Sequence, residues 1–311
     1  MSRYLVTGGA GFIGSHIVEE LVKQKHYVRV LDNFSSGKMS NLKGVEKKID
    51  LIRWDICSSA ACLKAARGMD YVLHQAALRS VPKSMEHPHS YNRVNIDGTL
   101  NMLEAAKKNR IKRFVFASSS SVYGQVNTFP EKESFTPEPI SPYALSKMAG
   151  EYYCRIFSLH FGLPTVALRY FNVFGPRQAL DDEYAVVIPK FINSIMKNKR
   201  PPIFGNGRQS RDFTFVKNVV QANLLAARAA NLSHGVFNVA GGRDTTVLDL
   251  VKILNKILGK DVAPLLLARR PGDVFRTLAD ISSAARVIKF KPVVDFIDGL
   301  KITVEYWKKN A

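Results

Sequence analysis

The sequence predicts an α/β fold, a doubly wound parallel sheet carrying a smaller α/β lobe. Three observations predict it. Through the first 170 residues, short apolar runs alternate with longer helical patterns, as strands alternate with crossover helices. The first run closes on a glycine-rich turn that opens directly into a helical pattern. Beyond residue 170 the alternation breaks, and only VFNVAGG at 236–242 reads as one more strand of the same sheet.

In chain order, YLVTGG reads as the first strand and GFIGSHIVEELVKQ as the helix after it. HYVRVLDN, IDLIRWDI and MDYVLHQAA are the next three strands. SYNRVNIDGTLNMLEAAKKN is a long helix, RFVFASSS a strand, SPYALSKMAGEYYCRIFSLHFG a second long helix and LPTVALRYFN a strand. Pro, Gly and Asn punctuate 171–215. Helical stretches TVLDLVKILNKILG and DGLKITVEYWKK flank an Arg-Arg-Pro-Gly-Asp loop in the last segment. The expected division is a dinucleotide-binding domain over 1–170, completed by a returning segment at about 216–242. Residues 171–215 and 243–311 then form a substrate lobe over the strand C-termini, where doubly wound sheets bind ligands.

Composition excludes several classes. No run of about 18 apolar residues is present, so no membrane span is expected. The N-terminus MSRYLVTGGAG enters the first strand without signal-peptide architecture, and the expected location is the cytoplasm. Cys57, Cys62 and Cys154 lack metal-ligand spacing and read as packing residues. His16, His26, His87, His89, His160 and His234 show no partner spacing that suggests a metal. The net charge of +19 admits nucleic-acid binding, attraction of anionic small molecules, or a solvated basic surface. The basic residues are dispersed with no long tail, which favours the surface reading over nucleic acid.

Gly8, Gly11 and Gly14 follow a GxxGxxG spacing at the end of the first strand, so the fold is of Rossmann type. The first allows a tight turn, the second a close approach to pyrophosphate, and the third packing of helix on strand. The helix N-terminus then offers its free N–H groups to phosphate. Asp32 ends the second strand, where a carboxylate accepts hydrogen bonds from an adenosine ribose and repels a 2′-phosphate. Asn33 follows it rather than Arg, so NAD is favoured over NADP. Asp55 and Ile56 end the third strand and are placed to flank adenine.

Ser141 and Pro142 read as N-cap and first residue of a helix. Tyr143 and Lys147, four apart, share one face of it. A tyrosine titrates too high to act as a base at neutral pH, so a neighbouring ammonium and a positive nicotinamide ring are expected to lower it. Lys147 is also suited to the nicotinamide ribose. Four serines, Ser118 to Ser121, close the fifth strand and offer hydroxyls there.

Gly-Gly-Ala-Gly-Phe-Ile-Gly, His74-Gln75-Ala76-Ala77, the serine run before Val-Tyr-Gly, Tyr143-xxx-Lys147 and Arg169-Tyr170-Phe171-Asn172 together resemble the extended short-chain dehydrogenases. The resemblance, which includes Arg211-Asp212-Phe213 and Arg269-Arg270-Pro271-Gly272-Asp273, runs nearly end to end. It leads to the UDP-glucose and UDP-N-acetylglucosamine 4-epimerases. His74-Gln75-Ala76-Ala77 with Ser80-Val81-Pro82, and Tyr184 to Pro189, lean toward the N-acetylhexosamine branch.

The resemblance implies roles. Tyr143 is the base, Lys147 its partner and Ser119 a hydroxyl aiding proton movement, with Ser120 a second contributor. Phe12, Ile13, Gln75, Ala76, Tyr170 and Asn95 belong to the NAD site. Asn172, Val187, Phe204, Arg211, Arg270 and Asp273 hold the nucleotide diphosphate. Arg79 departs from the small residue of the N-acetylhexosamine branch and is a candidate for the cofactor pyrophosphate. Thr277, where the family varies bulk beside the sugar, leaves room for an acetamido group. The implied reaction inverts the sugar 4-hydroxyl through a 4-keto intermediate. Dehydratases of the family carry an Asp-Glu pair where this chain has Ser120 and Ser121, so elimination lacks its carboxylates. A UDP-glucuronate 4-epimerase, another nucleotide-sugar oxidoreductase, and a non-catalytic NAD- or RNA-binding protein stand as alternatives. The long helices 91–109 and 143–161, through Met102, Leu103, Tyr152, Tyr153 and Phe157, suggest a homodimer joined as a four-helix bundle.

Overall fold

The computed structural model describes residues 1–179, 187–269 and 274–310. Its centre is a seven-stranded sheet of β1 (Arg3–Thr7), β2 (Tyr27–Asp32), β3 (Asp50–Arg53), β4 (Tyr71–His74), β5 (Arg113–Ser119), β6 (Thr165–Tyr170) and β7 (His234–Val239). The order across the sheet is β7-β6-β5-β4-β1-β2-β3, and every neighbouring pair is parallel. The chain begins mid-sheet, winds out to β3 and returns past β1 to build the other half. The reversal opens a crevice beyond the carboxyl ends of β1 and β4, where such sheets bind ligands.

Strands covered on both faces must be apolar on both, and Tyr4, Leu5 and Val6 of β1 are all fully buried. On one face lies α1 (Phe12–Lys23), through Ile17, Val18 and Leu21. On the other lie α2 (Gly98–Lys108) and α3 (Pro142–Phe161), through Met102, Leu103, Cys154 and Phe157. Three residues expected at an intermolecular bundle, Met102, Leu103 and Phe157, are therefore spent on the chain's own core.

Two elements differ from the sequence reading. β3 stops at Arg53, so Asp55 and Ile56 lie past the strand, where Asp55 Oδ1 accepts the Cys57 N–H at 2.8 Å. The helix expected over 91–109 is interrupted, with a π turn at Asn92–Asp97 leading into α2. Such turns arise where one extra residue is accommodated, often at functional sites.

A separate core joins the later segments: Phe174, Phe191 and Ile192, Phe213 and Phe215, Leu250 and Leu254, Leu300 and Val304. It draws on α4 (Val187–Met196), α5 (Val216–Arg228), α6 (Val247–Leu258) and α7 (Phe296–Asn310). Three short strand pairs complete this part, one of them Val173–Phe174 parallel to Thr214–Phe215. Ser210–Asp212 runs antiparallel to Asp244–Thr246, and Pro202–Phe204 runs parallel to Leu265–Leu267. Phe12 and Ile13 pack against this core, so it abuts the carboxyl end of β1.

Candidate active site

A cleft of about 550 Å³ opens along the strand C-termini. Its floor is the glycine turn. Gly8 adopts φ +65°, and a Cβ on Gly14 would lie 2.1 Å from the Gly8 carbonyl oxygen. Gly11, the N-cap of α1, brings no side chain to cap the first turn of that helix. Those N–H groups border the cleft along with Gly11, Phe12, Ile13 and Gly14. Asp32 is almost buried, its carboxylate accepting the Ala10 N–H at 2.8 Å and the Phe34 N–H at 2.7 Å. Asn33 donates to Asp55 at 2.9 Å, and with Ile56 they form the outer wall.

The inner end carries the chemistry-bearing side chains. Gln75, Ala76, Arg79, Tyr143, Lys147 and Tyr170 all line the same cleft. Asn223 donates to the Tyr170 hydroxyl at 2.8 Å, Tyr170 donates to Gln75 at 3.2 Å, and Gln75 donates back to Asn223 at 3.0 Å. This closed ring fixes three side chains; burial pushes the Tyr170 phenol far up and keeps it a neutral donor. Asn95 stands behind the wall rather than on it. It is buried in the π turn, where Oδ1 accepts the Leu78 N–H at 2.8 Å and Nδ2 donates to the Leu78 carbonyl at 2.9 Å. It thereby shapes the loop that carries Arg79 instead of facing the cleft.

α3 starts as its sequence signals: Ser141 accepts the Ala144 N–H at 3.1 Å, and Pro142 fills the first turn. Lys147, buried, donates from Nζ to the Ala117 carbonyl at 2.8 Å, with Nζ 5.1 Å from the Phe116 ring centroid and 5.9 Å from that of Tyr143. Burial lowers its ammonium to about 8. The Tyr143 phenol is pushed up by burial; the Ser119 hydroxyl and the Arg79 charge oppose that and do not overcome it. The expectation that Lys147 lowers Tyr143 is thus corrected for the chain alone, because Nζ is turned to Ala117. The positive ring of a bound nicotinamide would add to the Ser119 and Arg79 influences. Ser119 also accepts the Ser121 N–H at 3.2 Å, and Ser120 is half-buried beside it.

Around the second core, Asn172 donates to the Asp212 carbonyl at 3.0 Å and to Thr277 Oγ1 at 2.9 Å. Thr277 is largely buried with its hydroxyl engaged. Arg211 donates to the Ser210 and Phe275 carbonyls at 2.9 and 3.2 Å. Phe204 lines a second cleft of about 260 Å³ with Asn206, Gln209, Arg269 and Phe275. Val187 opens α4. Arg270, Asp273 and Tyr184 lie outside the described residues. Among the described residues no three His, Cys, Asp or Glu side chains gather as a metal site, and no helix is long and apolar enough to cross a membrane.

The model of the NAD dependent epimerase/dehydratase family matches residues 4–240. The chain belongs to that family. A UDP-glucose 4-epimerase of Mycolicibacterium smegmatis is 34% identical, with 99% of each chain covered. The solved UDP-N-acetylglucosamine 4-epimerase of Methanobrevibacter ruminantium M1, in complex with UDP-N-acetylmuramic acid, is 44% identical, with a TM-score of 0.96 over 100% of this chain and 99% of its own. The UDP-glucuronic acid 4-epimerase of Bacillus cereus, in complex with UDP-glucuronic acid and NAD, is 33% identical, with a TM-score of 0.92 over 99% and 100%.

The family's NAD fits this cleft on its own geometry. The glycine turn admits no Cβ at Gly14, the first turn of α1 is uncapped by a side chain, and a carboxylate rather than a cation closes β2. Sequence reasoning did not find Asn223. Its only signal is a polar residue on the apolar, buried face of α5. It also missed the buried Glu151, which pairs with Arg169 at 2.7 Å beneath the serine run.

Proposed function

We propose that the protein is an NAD-dependent isomerase that inverts the 4-hydroxyl of a UDP-hexose, UDP-GlcNAc/UDP-GalNAc or UDP-glucose/UDP-galactose. The observation that carries this reading is Tyr143 and Lys147 side by side on α3 at the inner end of a dinucleotide-shaped cleft, with the Ser119 hydroxyl acting on the phenol. NAD, when bound, supplies a reversible hydride acceptor, so that C4 passes through a ketone and is reduced on its opposite face.

Tyr143, as the phenolate that the positive ring of bound NAD favours, takes the proton of the 4-hydroxyl and returns it to the inverted oxygen. Ser119 hydrogen-bonds the reacting oxygen and steadies the phenol, with Ser120 next to it. Lys147, anchored on the Ala117 carbonyl, keeps a positive charge on the cofactor side of Tyr143. Gly8, Gly11, Gly14, Phe12, Ile13, Asp32, Asn33, Asp55, Ile56, Gln75, Ala76 and Tyr170 hold NAD, and Asn95 supports them from behind. Phe204 with Arg269 offers a face and a charge to the nucleotide, and Asn172, Val187, Arg211 and Thr277 frame the diphosphate and sugar. Arg270 and Asp273 belong to this set by the family resemblance. No carboxylate stands at 120 or 121, so elimination of water has no acid and base there.

Residues 1–170 with 216–242 form the NAD domain in this reading, and 171–215 with 243–311 the nucleotide-sugar lobe. The working form is a cytoplasmic homodimer. A second reading, a UDP-glucuronate 4-epimerase, has one observation in its favour. Arg79 is exposed on the cleft, and its charge already acts on Tyr143, as it would on a sugar carboxylate. The test of the catalytic assignment is Tyr143→Phe. This variant should bind NAD as wild type and show no turnover; near-normal turnover would overturn the assignment.

A further inference from the structure

Asp212 touches neither cleft, yet three of the residues assigned to the substrate hang from it. Its side chain is fully buried. Oδ1 accepts the Gly241 N–H at 2.8 Å, and Oδ2 accepts the Gly242 and Ala279 N–H groups at 3.1 and 3.2 Å. One carboxylate thus ties the 210–212 strand to two other stretches of chain: the turn leaving β7 of the main sheet, and the segment that follows Thr277. A carboxylate with two oxygens is the side chain suited to gather three N–H donors.

The backbone of the same residue continues the pattern toward Asn172 and Thr277. The Asp212 N–H donates to Thr277 Oγ1 at 3.3 Å, and its carbonyl accepts from Asn172 at 3.0 Å. Asn172 sits at φ +34°, a backbone region in which asparagine is enriched, and it also donates to Thr277. Arg211 is the preceding residue, and its guanidinium returns to the Ser210 carbonyl. Moving Asp212 therefore moves Asn172, Arg211 and Thr277 together, while Tyr143 and the glycine turn hang from other elements.

We infer that Asp212 is a positioning residue for the nucleotide sugar, setting the Asn172–Arg211–Thr277 group against the end of β7. The inference rests on the UDP-sugar reading. Its test measures two affinities on the same full-length protein, UDP by calorimetry and NAD by retention and titration, along with kcat and KM. Asp212→Asn leaves one N–H donor facing an amide NH₂. It should weaken UDP binding by roughly tenfold and raise KM more than it lowers kcat, with NAD binding unchanged. Gly241→Ala disturbs the node from its other side, since its Cβ would meet the Phe213 carbonyl at 2.9 Å and Asp212 Oδ1 at 3.2 Å. It should show the same selective loss if Asp212→Asn does not fold. UDP binding equal to wild type in a folded variant overturns the inference. So does equal loss of UDP and NAD, which marks general loosening. A wild-type chain that binds NAD but no UDP overturns the substrate reading itself.

Discussion

Gly14 has no room for a side chain, because the Gly8 carbonyl occupies the place where a Cβ would stand. Gly14→Ala must open the turn that aims α1 at the cofactor. It should lose bound NAD and about 1–3 kcal/mol of stability, read by cofactor release and thermal melting. A variant that retains NAD at the wild-type level would contradict the account of the turn. At this scale the sequence was legible wherever proximity is local. GxxGxxG and the i, i+4 spacing of Tyr143 and Lys147 each place their members together whatever the rest of the chain does. It was less legible where partners are distant in sequence. The ring of Gln75, Tyr170 and Asn223 joins residues 148 positions apart, and no spacing rule announces it. The sense of the Tyr143 shift was also beyond the sequence, since it is set by how deeply the fold buries the phenol.

The segment before α3 carries a further buried acid. Glu131 bridges to the 278–280 stretch, donating its N–H to the Leu278 carbonyl and accepting the Asp280 N–H at 2.8 Å. Burial, with Asp212 nearby, pushes its carboxyl up to about 7; the Leu278 N–H, Arg169 and Arg211 oppose this. A carboxyl raised by folding is most compatible with the fold below its unfolded value of 4.5. That contribution is lost as pH climbs through about 7. Glu131→Gln should therefore melt above wild type at pH 8, by a margin that shrinks toward pH 4.5. Parallel melting curves across that range would contradict the burial of a titrating acid. Among the elements, strand and helix types followed from apolar periodicity. The early end of β3 and the π turn did not, because both are set by what the neighbouring loops hydrogen-bond.

The parallel sheet with helices on both faces and a cleft over the strand C-termini follows from the alternation of strand and helix together with the first glycine turn; the order of its strands does not. Of the residues expected at an intermolecular bundle, Phe157 of α3 and Met102 and Leu103 of α2 turn inward, whereas Tyr152 of α3 stays outside. What α3 leaves outside is a stripe of Leu145, Tyr152, Ile156 and Leu159, all exposed and repeating at helical spacing. If that stripe joins two copies, Tyr152→Asp with Ile156→Asp should yield monomers by sedimentation, while the wild type sediments as a dimer. A monomeric wild type would contradict the assembly.

In the proposed reaction one resident cofactor and Tyr143 invert a sugar hydroxyl with no net redox change. The most direct test incubates the protein with UDP-N-acetylglucosamine, UDP-glucose and UDP-glucuronate separately, with no NAD added, and follows each by proton NMR. At least one sugar should be converted to its 4-epimer, with the relative rates identifying the substrate. No conversion of any of the three, even after NAD is supplied, would contradict the proposed reaction.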